Sequence, residues 1–170
     1  MQEKKTGSRT IVMLGLLTAI EIVLSRFCSI SAWNIKIGLA FVPLVLAAIL
    51  YGPLAGGAVG AVGDLIGALL FPIGAYFPGF TLTAFLNGMF FGLLLHKKRT
   101  MPRVICAVAV TQLCCSLLLN TLWISLLYGS PFEKLLIARG VQCTVLVPTQ
   151  IIVIGILTRS TSLFARQAIA

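Results

Sequence analysis

The sequence predicts an all-α integral membrane protein built as a bundle of six transmembrane helices. Of its 170 residues, 59% are hydrophobic and 10% are charged. An ordinary soluble domain carries about 25% charged residues, so this composition excludes that class. A membrane-spanning helix needs roughly 20 apolar residues, so the chain has room for about six or seven spans and no extramembrane domain.

The apolar segments define the predicted order of the helices within one membrane domain, residues 1–170. No small-residue cleavage site precedes Arg26, so we interpret the first segment as a spanning helix and not as a signal peptide. The second segment is short and requires tilt, local thinning of the bilayer or a partly re-entrant path. The six predicted spans are residues 10–28, 39–51, 54–70, 80–95, 104–128 and 134–157.

The net charge of +9 arises from basic residues near helix ends, and this distribution argues against a nucleic-acid partner. With six spans, one face of the membrane receives nine of the 13 basic residues: Lys4, Lys5, Arg9, Lys97, Lys98, Arg99, Arg103, Arg159 and Arg166. The positive-inside rule then places this face, with both termini, in the cytoplasm of a multi-pass cell-membrane protein. The other four, Arg26, Lys36, Lys134 and Arg139, belong to the outer half and need another explanation.

The most informative stretch runs from residue 52 to residue 85. Gly56, Gly60 and Gly67 share one face of a predicted helix, and Asp64 lies on the same face. Small residues allow a second helix to approach closely, and a carboxylate facing lipid costs several kcal/mol. Asp64 is therefore expected to point into protein. The loop at 71–80 is rich in aromatic residues, glycine and proline, as expected for either a cover over a flat ligand or an ordinary tight turn.

Arg139 is the second unusual charge, because it lies between one and two turns into the sixth span. An arginine at that depth should meet an anion. One interpretation is a structural ion pair with Asp64. In the other, Asp64 accepts hydrogen bonds from an amino-pyrimidine edge, while Arg26, Lys36 or Arg139 holds a carboxylate or stacks on a ring. The outer half also supplies aromatic residues, which are equally common as interfacial anchors: Trp33, Tyr76, Phe77, Phe80 and Trp123.

Catalytic and metal chemistry have little support in the sequence. The five cysteines form no CxxC pair, and the single histidine, His96, lies in a basic loop. Motifs of the GxSxG, HExxH and GxxxxGK[ST] types are absent from the chain. We therefore expect no catalytic residue, no metal and no cofactor, and no ability of this chain to hydrolyse ATP.

Two segments resemble a known family. NIKIGLAFVPLVLAAILYGPLAGGAVGAVGDLIGALLFPIGAYFPGFTLTAFLNG and LLLNTLWISLLYGSPFEKLLIARGVQ are similar to folate-family substrate-binding (S) components of energy-coupling factor (ECF) vitamin transporters. The resemblance covers residues 11–157 and is most specific at 51–85. It implies a six-helix bacterial membrane protein that captures folate or a related pterin beneath the loops after spans one and three.

The same resemblance implies partners. The S component would associate with an energising module of one membrane coupling subunit and two ATPase subunits. Small residues of the first span, Gly15 and Ala19 here, would face the coupling subunit, although the family usually has alanine at both positions.

The resemblance also implies a set of ligand contacts at its matched motifs. Asp64 or Asn87 would bind the pterin edge, Tyr76, Phe77 and Trp123 would stack, and Arg26 and Arg139 would contact a carboxylate or stack. The full predicted ligand-binding set is Arg26, Asp64, Tyr76, Phe77, Thr81, Asn87, Asn120, Trp123, Arg139 and Gln142.

Three alternatives remain. The chain could be an S component for a riboflavin-like or thiamine-like vitamin or for a tRNA-base precursor, with the same fold and mechanism. It could be an autonomous ion-coupled carrier using Asp64 and Glu21, although no repeat typical of such carriers is evident. An intramembrane enzyme is the third alternative and lacks a motif.

Overall fold

The computed structural model describes residues 7–32, 35–72, 75–97, 99–129 and 132–167, and it describes side chains there except at 30–37, 132 and 160–167. The elements, in chain order, are α1 (Ser8–Arg26), β1 (Ile30–Ala32), β2 (Ile35–Ile37), α2 (Phe41–Tyr51), α3 (Pro53–Leu70), α4 (Pro78–Leu95), α5 (Met101–Val110), a π-helical segment (Thr111–Leu119), α6 (Asn120–Tyr128) and α7 (Phe132–Gln167).

The predicted number of helical segments is confirmed. Among the residues that the structure describes, five helices are long and apolar enough to cross a membrane: Ser8–Arg26, Pro53–Leu70, Pro78–Leu95, Met101–Tyr128 and Glu133–Arg159. The sixth, Phe41–Tyr51, is apolar but shorter. The last helix extends beyond the predicted end of its apolar stretch, to Gln167.

A short β-hairpin follows α1, where the sequence predicted only a loop. β1 and β2 pair antiparallel, with Ile30 opposite Ile37 and Ala32 opposite Ile35. Trp33 and Asn34, between the strands, lie outside the described residues. We refer to the end of the bundle that carries this hairpin as the hairpin end, and to the opposite end, where α1 and α5 begin, as the basic end.

The shortness of α2 leaves space inside the bundle. At 1.5 Å per residue, α2 is about 16 Å long and α3 about 27 Å. The two helices meet at Gly52, whose φ of 100° favours glycine. His96 closes this turn at the basic end, because its ring lies beside Gly52 and its Nδ1 is 3.0 Å from the carbonyl oxygen of Ile49. α2 ends at this turn and begins at Phe41, so residues 38–40 connect its other end to the hairpin.

Glycines bring α3 and α4 into backbone contact. A Cβ placed on Gly88 would lie 2.6 Å from the backbone nitrogen of Gly57, and one placed on Gly60 would lie 2.6 Å from the carbonyl oxygen of Ala84. Small residues allow such close approach between helices in lipid. The pair forms a rigid wall that positions Asp64 on α3 opposite Thr81 on α4.

The apolar core fills the basic half of the bundle. Its members come from α2, α4, α5 and α7, and they pack into one cluster: Leu44, Val45, Ala48, Ile49, Phe91, Leu95, Val104, Ala107, Val108 and Ile154. The polar side chains described below therefore collect in the other half, toward the hairpin.

The fifth span is one continuous helix whose middle part is π-helical, and this π-helical segment connects α5 to α6. π-Helical turns are rare and frequently occur at functional sites. In this chain the segment carries Thr111, Gln112 and Ser116, all of which line the cavity described next.

Candidate ligand-binding site

A cavity of about 620 Å³ occupies the hairpin half of the bundle. This volume is within the range of roughly 300–1,000 Å³ that is typical of small-molecule sites. Gly38, which follows the hairpin, and Tyr76, in the loop between α3 and α4, line the part of the cavity nearest the hairpin end. Leu44 and Phe91 line its floor and also belong to the apolar core, which seals the cavity toward the basic end.

Asp64 lies at the cavity wall in a network of hydrogen bonds and charge. Nη2 of Arg26 is 3.8 Å from Oδ1 of Asp64 and donates a 3.5 Å hydrogen bond to its backbone carbonyl. The Thr81 hydroxyl donates to Oδ2 over 2.9 Å, and the Tyr76 hydroxyl lies 3.4 Å from Thr81 Oγ1. The Asp64 side chain retains 23% of its exposure. Its oxygens can therefore still accept hydrogen bonds from a ligand.

Two glycines of α3 make room for the charged side chains of α1. A Cβ on Gly63 would lie 2.8 Å from Cδ of Glu21, and one on Gly67 would lie 2.7 Å from Nε of Arg26. Glu21 and Arg26 thus lie against bare helix backbone and reach the cavity instead of the lipid. The glycine face of α3 serves both the packing against α4 and the placement of these charges.

Arg139 stands on the α7 wall of the cavity and is 7% exposed. Its Nη1 donates a 3.0 Å hydrogen bond to the carbonyl of Ser116, while its Nε has no hydrogen-bond partner among the described residues. The interpretation of a structural Asp64–Arg139 pair is wrong, because Asp64 forms its ion pair with Arg26. Within the described part of the chain, Arg139 is thus a buried cation with unused hydrogen-bonding capacity facing the cavity.

Polar residues spaced four apart form a stripe down the fifth span. Gln112, Ser116 and Asn120 line the cavity, and Ile124 and Tyr128 continue the same spacing toward the hairpin end. On the facing helices, Asn87, Gln142 and Gln150 also line the cavity. These neutral groups supply donors and acceptors suited to a heteroaromatic edge.

The cavity lining includes seven of the ten predicted ligand-binding residues: Arg26, Asp64, Tyr76, Asn87, Asn120, Arg139 and Gln142. Thr81 lies behind them, bonded to Asp64. Phe77 and Trp123 contact each other, with ring centroids 5.5 Å apart, and Trp123 Nε1 donates a 3.0 Å hydrogen bond to Thr83. Neither ring lines the cavity, and a stacking role for them stays a prediction. The aromatic residues in the lining are Phe41, Tyr76, Phe80, Phe91 and Tyr128.

Several cavity residues were not among the predicted contacts. Glu21 and Ser25, one turn apart on α1, are buried, and so are Gln112 and Gln150. The signal was present in the sequence, because a glutamate or glutamine inside an apolar span is expected to face the bundle interior.

Among the described residues, no group of three His, Cys, Asp or Glu side chains could hold a metal ion.

A model of the ECF-type riboflavin transporter S component family matches residues 5–161 of this chain. The folate transporter FolT of Clostridium novyi (strain NT) is 37% identical over 144 residues, which cover 84% of each protein. The chain belongs to the family of ECF-type transporter S components. FolT of Leuconostoc mesenteroides is 31% identical to this S component over 86% of the chain and 83% of the relative.

Solved structures of S components share the fold. A crystal structure of FolT bound with folic acid matches this S component with a TM-score of 0.86 and 36% identity, over 91% of this chain and 95% of the other. A second structure, an S component of a bacterial ECF transporter, gives a TM-score of 0.51 at 24% identity and supports the fold alone.

The first helix of this S component presents an open face away from the cavity. A Cβ on Gly15 would meet no atom within 4 Å, and Ala19, one turn further, is exposed. Ile11, Leu16 and Val23 on the same helix are 62%, 54% and 50% exposed. This face is available for contact with lipid or with another subunit.

Proposed function

We propose that this S component binds folate or a related pterin and delivers it across the bacterial cell membrane together with an ATP-driven energising module. The observation that carries the proposal is the cavity at the hairpin end, which combines an Arg26–Asp64 pair, the buried Arg139 and an aromatic lining. The likeness to FolT proteins, one of them bound with folic acid, supports folate as the ligand.

The charges of the cavity fit a ligand with a flat amino-substituted ring and an anionic tail. Asp64 and Asn87 offer hydrogen-bond acceptors for a pterin edge. Tyr76 is connected to Asp64 by way of Thr81, whose hydroxyl lies near that of Tyr76 and donates a hydrogen bond to Asp64. Arg139 offers a guanidinium that can pair with a carboxylate over two parallel hydrogen bonds. A carboxylate there would also satisfy the Nε that no described residue binds.

The proposed orientation places the hairpin end outside. Basic residues at the opposite end favour the cytoplasm, so both termini would lie inside the cell. The open face of α1 around Gly15 and Ala19 would then contact the coupling subunit of an energising module that also contains two ATPase subunits. The chain itself would perform no catalysis.

Riboflavin is the second candidate, because the matching family model is described by that vitamin. An uncharged ring system would leave Arg139 without an anion, and burial of an unpaired charge is costly. The residues of this cavity therefore favour an anionic vitamin.

The test is an equilibrium titration of the purified protein with folic acid, riboflavin and thiamine, in which isothermal calorimetry measures the affinity for each vitamin. We expect saturable 1:1 binding of folic acid and at least 100-fold weaker binding of the other two. Tighter binding of riboflavin or thiamine would contradict folate as the ligand and would leave the fold assignment untouched.

A further inference from the structure

A second groove lies at the basic end, on the opposite side of the apolar core from the ligand cavity. It has a volume of about 520 Å³ and is formed where α5 begins beside residues 152–159 of α7. Two arginines, Arg99 and Arg159, lie in its lining together with the apolar residues Met101, Ile152, Gly155 and Ile156.

The apolar part of the groove faces away from the bundle. Ile152 and Ile156 are 61% and 64% exposed, so this surface would contact acyl chains in a bilayer. Gly155 keeps the groove open, since it has no side chain between them. A Cβ there would lie 3.2 Å from Cε of Met101, which forms the facing side. The apolar side of the groove therefore suits part of a hydrocarbon chain.

The charged part of the groove is positive. Arg99 lies two residues before Met101, where α5 begins, and the partial positive charge of that helix start adds to the guanidinium groups. The three acidic residues that the structure describes, Glu21, Asp64 and Glu133, all belong to the half of the bundle nearer the hairpin. The field at this groove therefore attracts an anion.

We propose that this groove binds one anionic phospholipid. Its phosphate lies between Arg99 and Arg159, and one acyl chain follows Met101, Ile152 and Ile156. Basic pockets between transmembrane helices bind anionic head groups in this manner, and arginine is well suited to phosphate. Binding in the groove can be distinguished from a general attraction of anions to the basic end, because Arg103 lies at the same end but does not line the groove. The proposal is independent of the vitamin that the cavity binds.

The test compares lipid binding by the purified protein and its variants in a neutral detergent. Native mass spectrometry measures bound lipid, and thermal unfolding measures stabilisation. The probes are phosphatidylglycerol, phosphatidylcholine and inorganic phosphate. We expect phosphatidylglycerol alone to remain bound and to raise the melting temperature. The substitutions Arg99→Gln and Arg159→Gln should each weaken its binding about fivefold, as expected for one basic side chain near an anionic lipid.

The matched control is Arg103→Gln, which removes a charge at the same end but outside the groove and should change the affinity by less than twofold. Equal binding of phosphatidylcholine, saturation by inorganic phosphate, or an equal loss in the control would overturn the proposal. If the arginine variants do not fold, Gly155→Leu fills the groove without removing a charge and must also displace the lipid. If Gly155→Leu leaves lipid binding unchanged but abolishes vitamin uptake, the groove is a contact site for another protein, and this result would likewise overturn the proposal.

Discussion

Replacing Gly15 by leucine is expected to abolish ATP-driven folate uptake while folate binding persists. The new side chain meets no atom of this chain, because the space around Gly15 is open, so the bundle can fold and retain its cavity. The substitution instead raises a bulky group on the face of α1 that is proposed to meet the coupling subunit. Helices in lipid associate through small residues, and a leucine prevents close approach.

Uptake of radiolabelled folate into proteoliposomes that contain the energising module measures this effect, and a reduction of at least tenfold is expected. Gly140→Leu is the matched control, since Gly140 is also a glycine with open space around it, on α7. Uptake by the control should remain near that of the unmodified protein. Unchanged uptake in the Gly15 variant would show that the coupling surface lies elsewhere. Uptake driven by an ion gradient without the module would favour an autonomous carrier.

Replacing Asp64 by asparagine is expected to weaken folic acid binding about 10- to 100-fold. A hydrogen bond to a charged group contributes about 1.5–3 kcal/mol, and the asparagine loses the charge while keeping the size. The change also leaves Arg26 without its ion-pair partner and replaces an acceptor of the Thr81 hydroxyl. Both effects disorganise the same wall of the cavity.

Calorimetric titration of the folded fraction measures the affinity, and thermal unfolding measures the stability of the same preparation. Glu133→Gln is the control, because it removes a carboxylate near the hairpin end from an exposed residue that does not line the cavity. It should bind folic acid as the unmodified protein does. A lower melting temperature with unchanged affinity in the Asp64 variant would assign Asp64 a purely structural role.

The helices and the inward orientation of Asp64 could be predicted because both follow from the free energy of transfer into lipid. Long apolar segments must form helices in a bilayer, and a carboxylate must face protein. The partner of Asp64 could not be predicted in the same way. Only Arg139 was considered as an ion-pair partner of Asp64, and the pairing with Arg26 depends on the rotation of α1 about its axis. That rotation is fixed by Gly63 and Gly67 of another helix.

The π-helical segment and the β-hairpin were less accessible to sequence reasoning. A shift from i→i+4 to i→i+5 hydrogen bonds has no clear compositional signature, so the fifth span was predicted as an ordinary helix. The hairpin did leave a trace, since Ile30 and Ala32 alternate with Ser31, and Ile35 and Ile37 alternate with Lys36. In a chain this apolar, an alternation of three residues is too short to be distinguished from the background.

The central claim is that the cavity at the hairpin end holds a folate-type compound, and the most direct test is to identify the compound that the protein retains during purification. Protein purified from bacterial membranes without added vitamin can be denatured, and the released small molecules analysed by mass spectrometry. We predict a pterin compound with a glutamate tail, reduced in amount in the Asp64→Asn variant. Release of a flavin or thiamine from the unmodified protein, with no pterin present, would contradict the account.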